Sequence, residues 1–325
     1  MITATASVSL DLDNQWAYMK TQGVPGWEGF HSYFDVVVPR ILDTVKRAGV
    51  RLTCFVVGKD AALACNQMAL KSIADAGHEI ANHSFMHEPW LHLYTEQQLR
   101  ADFDQAEAAI LHATGQKPLG FRGPGFSTSR QVRALLRDRG YIYDASKFPT
   151  WLGPVARTYF FLTSNLPAEE KARRRRLYGS LADARSPLQP YQIEPGLMEI
   201  PVTTLPLLRT PIHLSYLLFL ARFSTPLARW YWDLALALCR MRGVAPSLLL
   251  HPTDFMDVGD APAMAFFPAM QIPAERKIAL VRHTLSTLRQ RWNVVPHLDL
   301  CRSIQGAVPQ VPEVASAPGR AVVNV

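Results

Sequence analysis

Cysteine is scarce in this chain of 325 residues, which contains only 4. These cysteines stand at positions 54, 65, 239 and 301, with no CxxC pair and no regular spacing. The sequence therefore predicts neither a disulfide framework nor a cysteine-ligated zinc knuckle, and a reducing compartment suits it best.

The chain also lacks long apolar runs. Its first residues, MITATASVSLDLDN, contain no basic segment and no apolar core of the kind that directs export. In the most apolar stretch, 205–239, the longest charge-free run is 210–221, with 12 residues, whereas a membrane-spanning helix needs about 20. We therefore expect a cytoplasmic protein without a transmembrane helix.

Charge of one sign is in excess, with a formal net charge of +7 and a pI near 9.3. Four of the positive charges are consecutive, at Arg173, Arg174, Arg175 and Arg176. Such a local surplus indicates a basic patch that suits an anionic partner. It does not indicate a surface for nucleic acid, so no nucleic-acid partner is predicted.

Apolar runs of strand length alternate with helical patterns, which predicts an α/β fold with parallel strands, as a barrel or an open sheet. The predicted strands are 5–12, 51–57, 78–82, 118–121, 141–144, 197–203 and 247–251. The predicted helices include 33–48, 66–76, 95–113, 127–139 and 274–291. We expect one domain over 1–306, with insertions at about 155–195 and 205–242, and a flexible tail over 307–325.

Two histidines follow the predicted strand 78–82, in the stretch HEIANHSFMHEPW. His83 and His87 are four residues apart, and on a helical turn both rings would point at one ion. The stretch is not an HExxH zinc motif, because Asn82 stands where the second histidine would be. A pair of surface or core histidines is the alternative reading of these residues alone.

Acidic and basic groups follow other predicted strands. In SLDLDN, Asp11 and Asp13 are two apart on a strand and so share a face, where a cation would relieve their repulsion. Arg122 stands in the loop GFRGPGFS, and His251 ends the apolar run SLLLHP. Active sites form at the carboxyl ends of parallel strands, so these placements together predict one site.

These motifs resemble the NodB-homology polysaccharide deacetylases, carbohydrate esterase family 4, over roughly 5–150 and 197–256. HSFMH resembles the family's H-[S/T]-x-x-H metal motif. SLDLDN resembles its first motif, with a D-x-D spacing like that of the lipid-linked sugar deformylase branch in place of adjacent acids. FRGPGFS, YDASKFPTW and LLLHP resemble the third, fourth and fifth motifs. The family fold is a deformed (β/α) barrel, here with helical insertions.

The resemblance implies a role for each matching residue. It implies a divalent ion, zinc first with manganese, cobalt or nickel as alternatives, bound by Asp13, His83 and His87. It implies Asp11 as the base held by Arg122, and His251 as the acid. It further implies Asp144 as a catalytic residue of the fourth motif, and Gly125, Phe126 and Trp151 as residues near the substrate or its oxyanion.

The two insertions favour a membrane surface. Basic residues beside apolar ones suit an anionic lipid surface, so Arg173–Arg176 with Trp230 and Trp232 are predicted to form an interfacial surface on the inner face of the plasma membrane. The alternatives are a solvated helix for the arginine run, and packing of 205–239 on the barrel or on a second copy of the chain, as a homo-oligomer.

Three functions remain open on the sequence. The first is removal of a formyl or acetyl group from an amino sugar on a polyprenyl phosphate or diphosphate carrier. The second is the same chemistry on a soluble oligosaccharide or polysaccharide. The third is a catalytically silent carbohydrate-binding protein, which the intact set of acidic, basic and imidazole side chains disfavours.

Overall fold

The strands of this computed structural model form one sheet. The model describes residues 4–164, 166–175, 177 and 181–304. The strands in this part of the chain are β1 (Thr5–Leu12), β2 (Thr53–Val56), β3 (Glu79–Asn82), β4 (Gly120–Phe121), β5 (Tyr143–Asp144), β6 (Tyr191–Glu194), β7 (Leu197–Glu199), β8 (Ser247–Leu250) and β9 (Asn293–Val295). Their order is β6-β7-β5-β4-β3-β2-β1-β8, with β9 beside the start of β1. Pairs are parallel except for the antiparallel β6 and β7.

The sheet curls so that its ends approach each other. After β7, the backbone N–H of Thr203 donates to the carbonyl of Ser247 at the start of β8, at 3.0 Å. The N–H of Ser247 in turn donates to the hydroxyl of Thr203 at 2.7 Å. The predicted deformed (β/α) barrel therefore takes the form of a curled sheet, and the carboxyl ends of its parallel strands share one rim.

Helices pack on the outside of this sheet and over its rim. They are α1 (Gln15–Gln22), α2 (Phe34–Ala48), α3 (Gly58–Ala62), α4 (Gln67–Asp75), α5 (Glu96–Thr114), α6 (Arg130–Asp138), α7 (Gly153–Thr163), α8 (Ala168–Arg173), α9 (Leu214–Ala221), α10 (Thr225–Met241), α11 (Ala274–Arg291) and α12 (His297–Ile304). Strand β1 is buried from Ala6 to Leu12, as expected for a parallel strand covered on both faces. Buried side chains at helical spacing, such as Phe34, Val38, Ile41 and Val45, seat α2 on the core.

The predicted elements are present, with bounds that differ by a few residues. The helix predicted over 95–113 is α5, which begins after a capping box at Thr95, and the helix predicted over 274–291 is α11. The short elements α1, α3, β6, β9 and α12 were not predicted. The expected tail over 307–325 lies outside the described residues.

The stretch 205–239 forms a helical hairpin, α9 and α10, that packs on the core. The prediction for Trp232 was wrong, because this side chain is fully buried and its ring N–H donates to the hydroxyl of Thr287 at 2.7 Å. Trp230 is 60% exposed. Residues two apart on a helix point in nearly opposite directions, so both tryptophans could not face the same membrane. No helix in the described part of the chain has the length and apolarity needed to span a bilayer.

The arginine run does not form one patch. Arg174 is buried, donates to the carbonyl of Thr21 and lies 4.9 Å from the centroid of the Trp90 ring, so its placement on a lipid surface was wrong. Arg173 is half exposed and lies 3.5 Å from Glu169, while Arg175 is exposed. Consecutive residues at a helix end point in different directions, which separates these charges. Arg176 lies outside the described residues.

Candidate active site

Two carboxylates stand where β1 ends. Asp11 is the penultimate residue of β1 and Asp13 follows the strand. One oxygen of Asp11 accepts a hydrogen bond from Arg122 Nη1 at 2.6 Å. Both acids are almost fully buried, at 6% exposure each. The two acids have different neighbours, since the Asp13 carboxylate faces histidines and the Asp11 carboxylate faces the arginine.

The two histidines come from the loop after β3 and not from a helical turn. Ser84 and His87 have positive φ values of 62° and 53°, which a right-handed helix excludes. The N–H of Ser84 donates to the Asn82 side chain at 2.9 Å, and the N–H of His87 donates to the Ser84 hydroxyl at 3.1 Å. The prediction of a helical turn was therefore wrong. The loop nevertheless directs both rings the same way, with ring centroids 5.1 Å apart.

Asp13, His83 and His87 form a cluster that could hold a metal ion. The Nε2 atoms of His87 and His83 lie 3.1 and 3.5 Å from one oxygen of Asp13, and the three ligand atoms all lie within 4.8 Å of one another. Tetrahedral ligands at about 2.0–2.1 Å from zinc are separated by about 3.3 Å, so the cluster fits such an ion with little rearrangement. That Asp13 oxygen is buried and makes no hydrogen bond in the described structure.

A second contact fixes the direction in which His83 presents its ring. Its Nδ1 lies 2.6 Å from the backbone carbonyl of Arg122, and a carbonyl can only accept. Nδ1 therefore carries the proton, and the lone pair of Nε2 points at Asp13. Carbonyl or carboxylate partners of this kind are the usual orienting contacts of metal-binding histidines.

The electrostatics of the cluster also suit a cation. Burial raises the pKa of the Asp13 carboxyl, but the attraction of His87 and of His83 outweighs burial and holds this pKa below its ordinary range. Burial lowers the pKa of His87, and the attraction of Asp13 more than reverses this. For His83, burial dominates and lowers the pKa. Positive charge is thus favoured between Asp13 and His87, where an ion would lie.

Arg122 is fully buried beneath the two acids. Its Nε donates to the carbonyl of Ala145 at 2.9 Å and its Nη1 donates to the hydroxyl of Ser9 at 3.0 Å, besides the bond to Asp11. The guanidinium lies 4.2 Å from the centroid of the Phe55 ring. A buried cation with these partners cannot move, so it holds the Asp11 carboxylate in one orientation.

His251 directly follows β8, the strand beside β1, and is oriented by groups that the sequence did not reveal. Its Nδ1 lies 3.2 Å from the hydroxyl of Ser215 in α9, which donates to Asp254 at 3.3 Å. The other Asp254 oxygen accepts the backbone N–H of His251 at 2.7 Å. If Nδ1–H donates to Ser215, Nε2 is left to face the cavity. Ser215 and His251 are 36 residues apart in the sequence, so their contact is visible only in the folded chain.

We expect Ser215→Ala to lower turnover by about 10- to 100-fold, because the His251 ring loses the contact that fixes its orientation. Bound metal and the melting temperature should change little. Ser215→Thr keeps a hydroxyl and should restore most of the activity, which a purely structural role would not predict. Steady-state kinetics of wild type, Ser215→Ala and Ser215→Thr tests whether Ser215 orients His251. Equal turnover in Ser215→Ala and wild type would contradict that role.

Two residues implied by the fourth motif lie away from the site. The Asp144 carboxylate is fully buried and accepts from the N–H of Ser146 at 3.0 Å and from the Thr128 hydroxyl at 3.1 Å. The Ser146 hydroxyl accepts the N–H of Gly123, so Asp144 supports the Arg122 loop instead of touching a substrate. Trp151 is 45% exposed, and its ring N–H donates to the carbonyl of Leu208. Neither residue lines the cavity described next, because their side chains are committed elsewhere.

A cavity of about 700 Å³ opens above these groups. Asp11, Asp13, His83, His87 and His251 all line it. The wall beyond them is mostly aromatic or aliphatic and includes Phe126, Phe148, Leu152, Val155, Phe160, Leu177, Tyr216, Phe219, Phe266 and Phe267. The cavity therefore combines a polar catalytic floor with an apolar wall.

The predicted Gly125 and Phe126 do line this cavity. Both have positive φ, 58° and 63°, in the turn after Arg122. The N–H of Phe126 donates to the Gly123 carbonyl at 2.9 Å, so it is not available to a substrate, and its ring stacks on Phe148 at 5.0 Å between centroids. Of the two, Gly125 is the one that remains a candidate for the backbone donor.

His213 is a further cavity residue that the sequence reading missed. It precedes α9, and its ring packs edge-on against Phe148 with centroids 5.4 Å apart. Burial, and then repulsion from His251, lowers the pKa of His213 to about 3, so this imidazole is neutral at ordinary pH. Its Nδ1 is buried without a hydrogen-bond partner in the described structure.

Comparison with known proteins supports the resemblance seen in the motifs. Residues 28–143 match the family model of polysaccharide deacetylase. A peptidoglycan deacetylase-like protein of Gibberella zeae is 32% identical over 113 residues, which cover 34% of this chain and 32% of that protein. The peptidoglycan deacetylase of Helicobacter pylori is 31% identical over 112 residues, which cover 34% of this chain and 37% of the relative. The chain thus spans about a third of the length of these curated relatives.

The fold is similar over nearly the whole chain. A crystal structure from Mycobacterium smegmatis, of a protein assigned to the polysaccharide deacetylases, superposes with a TM-score of 0.63 at 19% identity and covers 97% of this chain and 95% of its own. The predicted resemblance to the polysaccharide deacetylases of the NodB type, carbohydrate esterase family 4, is confirmed over the matched residues, and the fold class is confirmed as well.

Proposed function

We propose that this protein is a metal-dependent amide hydrolase that removes an acetyl or formyl group from an amino sugar carried on a polyprenyl phosphate or diphosphate, at the cytoplasmic face of the membrane. One observation carries the proposal. The cavity has acids and histidines at its floor, with the buried Arg122 behind Asp11, as amide hydrolysis needs, and an apolar wall where a polymer-binding cleft would need polar groups.

The chemistry divides between the ion and the protein's own groups. Asp13, His83 and His87 would hold a divalent ion, which would supply Lewis-acid polarisation of the acyl carbonyl and would lower the pKa of the attacking water. Asp11 accepts the proton of that water, since Arg122 holds its carboxylate at the edge of the metal cluster. Imidazole and carboxylate ligands favour zinc, and manganese, cobalt and nickel are alternatives.

His251 supplies the acid from the end of β8, the strand that pairs with β1. An amine is a poor leaving group until it is protonated, so hydrolysis needs an acid facing the base. With Nδ1–H directed at Ser215, the other ring nitrogen of His251 can donate its proton to the departing nitrogen. On this proposal the backbone N–H of Gly125, a residue that lines the cavity, donates to the developing oxyanion.

The apolar wall continues onto the surface. Val155 of α7 and Phe219 of α9 both line the cavity and are 57% and 47% exposed. The Phe223 ring, 74% exposed, packs against Phe219 with centroids 5.6 Å apart, and Trp230 of α10 is 60% exposed. A hydrophobic chain attached to the sugar would pass along these side chains from the apolar cavity wall to the bilayer. This path supports the proposals that the substrate is carried on a lipid and that the protein lies at the membrane surface.

We expect the purified protein to bind vesicles that contain anionic lipid, less strongly as salt rises. Replacing Phe223 and Trp230 together with Ser should weaken binding by about 10- to 100-fold, because each side chain buries apolar area in the interface. Met68→Ser is the matched control, since Met68 is 86% exposed but lies on α4, outside the cavity wall. Sedimentation with liposomes measures the effect, and equal losses in both variants would contradict the membrane surface.

A second function is favoured by the names of the relatives, which are peptidoglycan deacetylases. On that alternative the substrate is a soluble oligosaccharide or polysaccharide, and the apolar wall and hairpin serve packing or contact with a second copy. Rates on a lipid-linked N-acyl sugar and on an N-acetylated oligosaccharide, measured side by side, separate the two. A faster reaction with the oligosaccharide would replace the first proposal with the second.

A further inference from the structure

Helix α9 connects the catalytic histidine to an arginine at the cavity edge. Ser215, Tyr216, Phe219 and Arg222 all line the cavity, and Ser215 contacts His251. Ser215 and Arg222 are seven residues apart, about two helical turns or roughly 10 Å along the axis. This span is comparable to a sugar ring with an attached phosphate group.

Arg222 is the one arginine or lysine among the described residues of the cavity wall. It is exposed and forms no ion pair within the described part of the chain. The carboxylates at the cavity floor, Asp11 and Asp13, are buried beside Arg122 and the histidines. A cation in an otherwise apolar wall, without an internal acid, is suited to an anion that arrives with the ligand.

The surroundings of Arg222 add positive potential. Helix α10 begins three residues later, at Thr225, capped by the Ser224 side chain, and this helix N-terminus carries partial positive charge. The guanidinium of Arg276 lies 3.4 Å from the Thr225 hydroxyl and likewise forms no ion pair with a described acid. The Arg276 guanidinium and the N-terminus of α10 therefore lie at the corner where Arg222 ends α9.

We propose that this corner, with Arg222 as its principal residue, binds the phosphate that links the substrate's sugar to its lipid chain. The sugar then lies between His251 and Arg222, and the chain leaves along Phe219 and Phe223. This assignment rests on the proposed function, and it adds the residue that recognises the phosphate. It also explains why a cation interrupts a wall of aromatic side chains.

A simpler role for Arg222 makes a different prediction. A cation at the C-terminus of α9 stabilises the helix by offsetting the partial negative charge of its dipole there. That role alone would lower the melting temperature in Arg222→Gln and leave ligand binding unchanged. Phosphate recognition changes ligand binding and leaves the melting temperature nearly constant.

The test is equilibrium binding of farnesyl phosphate and farnesol to the full chain, by tryptophan fluorescence or calorimetry. Wild type should bind farnesyl phosphate at least about tenfold more tightly than farnesol. Arg222→Gln should remove most of this difference, whereas the matched control Arg240→Gln, an exposed arginine of α10 outside the cavity, should keep it. Retention of the full difference by Arg222→Gln would overturn the assignment.

Two further arms identify the source of the phosphate and separate this inference from the proposed function. The assignment expects weak binding of inorganic phosphate and an affinity of Arg222→Gln for phosphatidylglycerol vesicles that equals that of wild type. These results point to a phosphate on the substrate. If Arg222→Gln instead loses vesicle binding as much as it loses farnesyl phosphate binding, the residue recognises lipid headgroups and the assignment is overturned. Turnover is measured separately with a lipid-linked N-acyl sugar. Lack of turnover refutes the proposed function, while binding still decides the role of Arg222.

Discussion

Asp11→Asn is expected to lower the rate of amide hydrolysis by about 10²–10⁴-fold while the protein keeps its bound divalent metal. The amide cannot accept a proton from the attacking water, but its oxygen can still accept the hydrogen bond from Arg122, which is 2.6 Å from Asp11 in the wild type. The variant should therefore fold, although the buried arginine loses its charged partner. Single-turnover kinetics and metal analysis of the same preparation measure both effects.

Asp138→Asn provides the control for this substitution, because Asp138 is exposed at the end of α6. It should leave both turnover and metal content unchanged. A melting temperature recorded for each variant separates loss of the base from loss of the fold. Turnover within a factor of two of wild type in folded Asp11→Asn would remove Asp11 from the mechanism.

Loss of either imidazole is expected to remove most of the bound metal and to abolish activity. His83→Ala and His87→Ala each leave two ligands where the cluster provides three, and Asp13→Asn removes the charged ligand that lies 3.1 and 3.5 Å from the two rings. Chelation of the remaining ion should be faster in all three variants. Elemental mass spectrometry of each dialysed protein measures the bound metal and tests all three variants.

His112→Ala is the matched control, since His112 is exposed on α5, away from the cluster. It should retain the metal and the activity of wild type. The pair Asp11→Asn and Asp13→Asn also tests the division of roles between the two acids. A variant Asp11→Asn that loses the metal, beside an Asp13→Asn that keeps it, would show that the two roles are reversed.

The position of the site could be predicted from the sequence because strand ends are local features. SLDLDN, HSFMH, GFRGP and LLLHP each place a functional group just after an apolar run, and parallel strands bring those ends to one rim. The backbone that joins His83 to His87 could not be predicted in this way. Spacing alone suggested a helical turn, whereas Ser84 and His87 adopt positive φ values that hydrogen bonds to neighbouring side chains stabilise.

The predictions for Trp232 and Arg174 were wrong because they used residue type alone and ignored the direction in which each side chain points. Trp230 and Trp232 were grouped because both are aromatic, yet Ala228, Trp232, Leu236 and Cys239 follow the helical spacing of a buried face and Trp230 does not. Arg174 was grouped with its neighbours by charge, although its guanidinium packs on Trp90. The helical period could have separated the tryptophans, but no sequence pattern indicates the partner of Arg174.

The residues that the sequence analysis missed depend on long-range contacts. Ser215 and His213 reach the site because the α9–α10 hairpin packs over the rim beside β8, and no local pattern relates them to His251. Arg222 has the same origin, since its place in the cavity wall follows from the direction of α9. Insertions outside the motifs carry these groups, so they determine what the shared catalytic floor can bind.

Release of the acyl group from an isoprenyl-phosphate-linked N-acyl amino sugar, followed by mass spectrometry, tests the central claim most directly. The account predicts loss of one acetyl or formyl mass with wild-type protein, inhibition by a chelator, recovery on addition of zinc, and no reaction with Asp11→Asn. Metal-saturated wild-type protein that releases no acyl group, from this substrate or from an N-acetylated oligosaccharide, would contradict it.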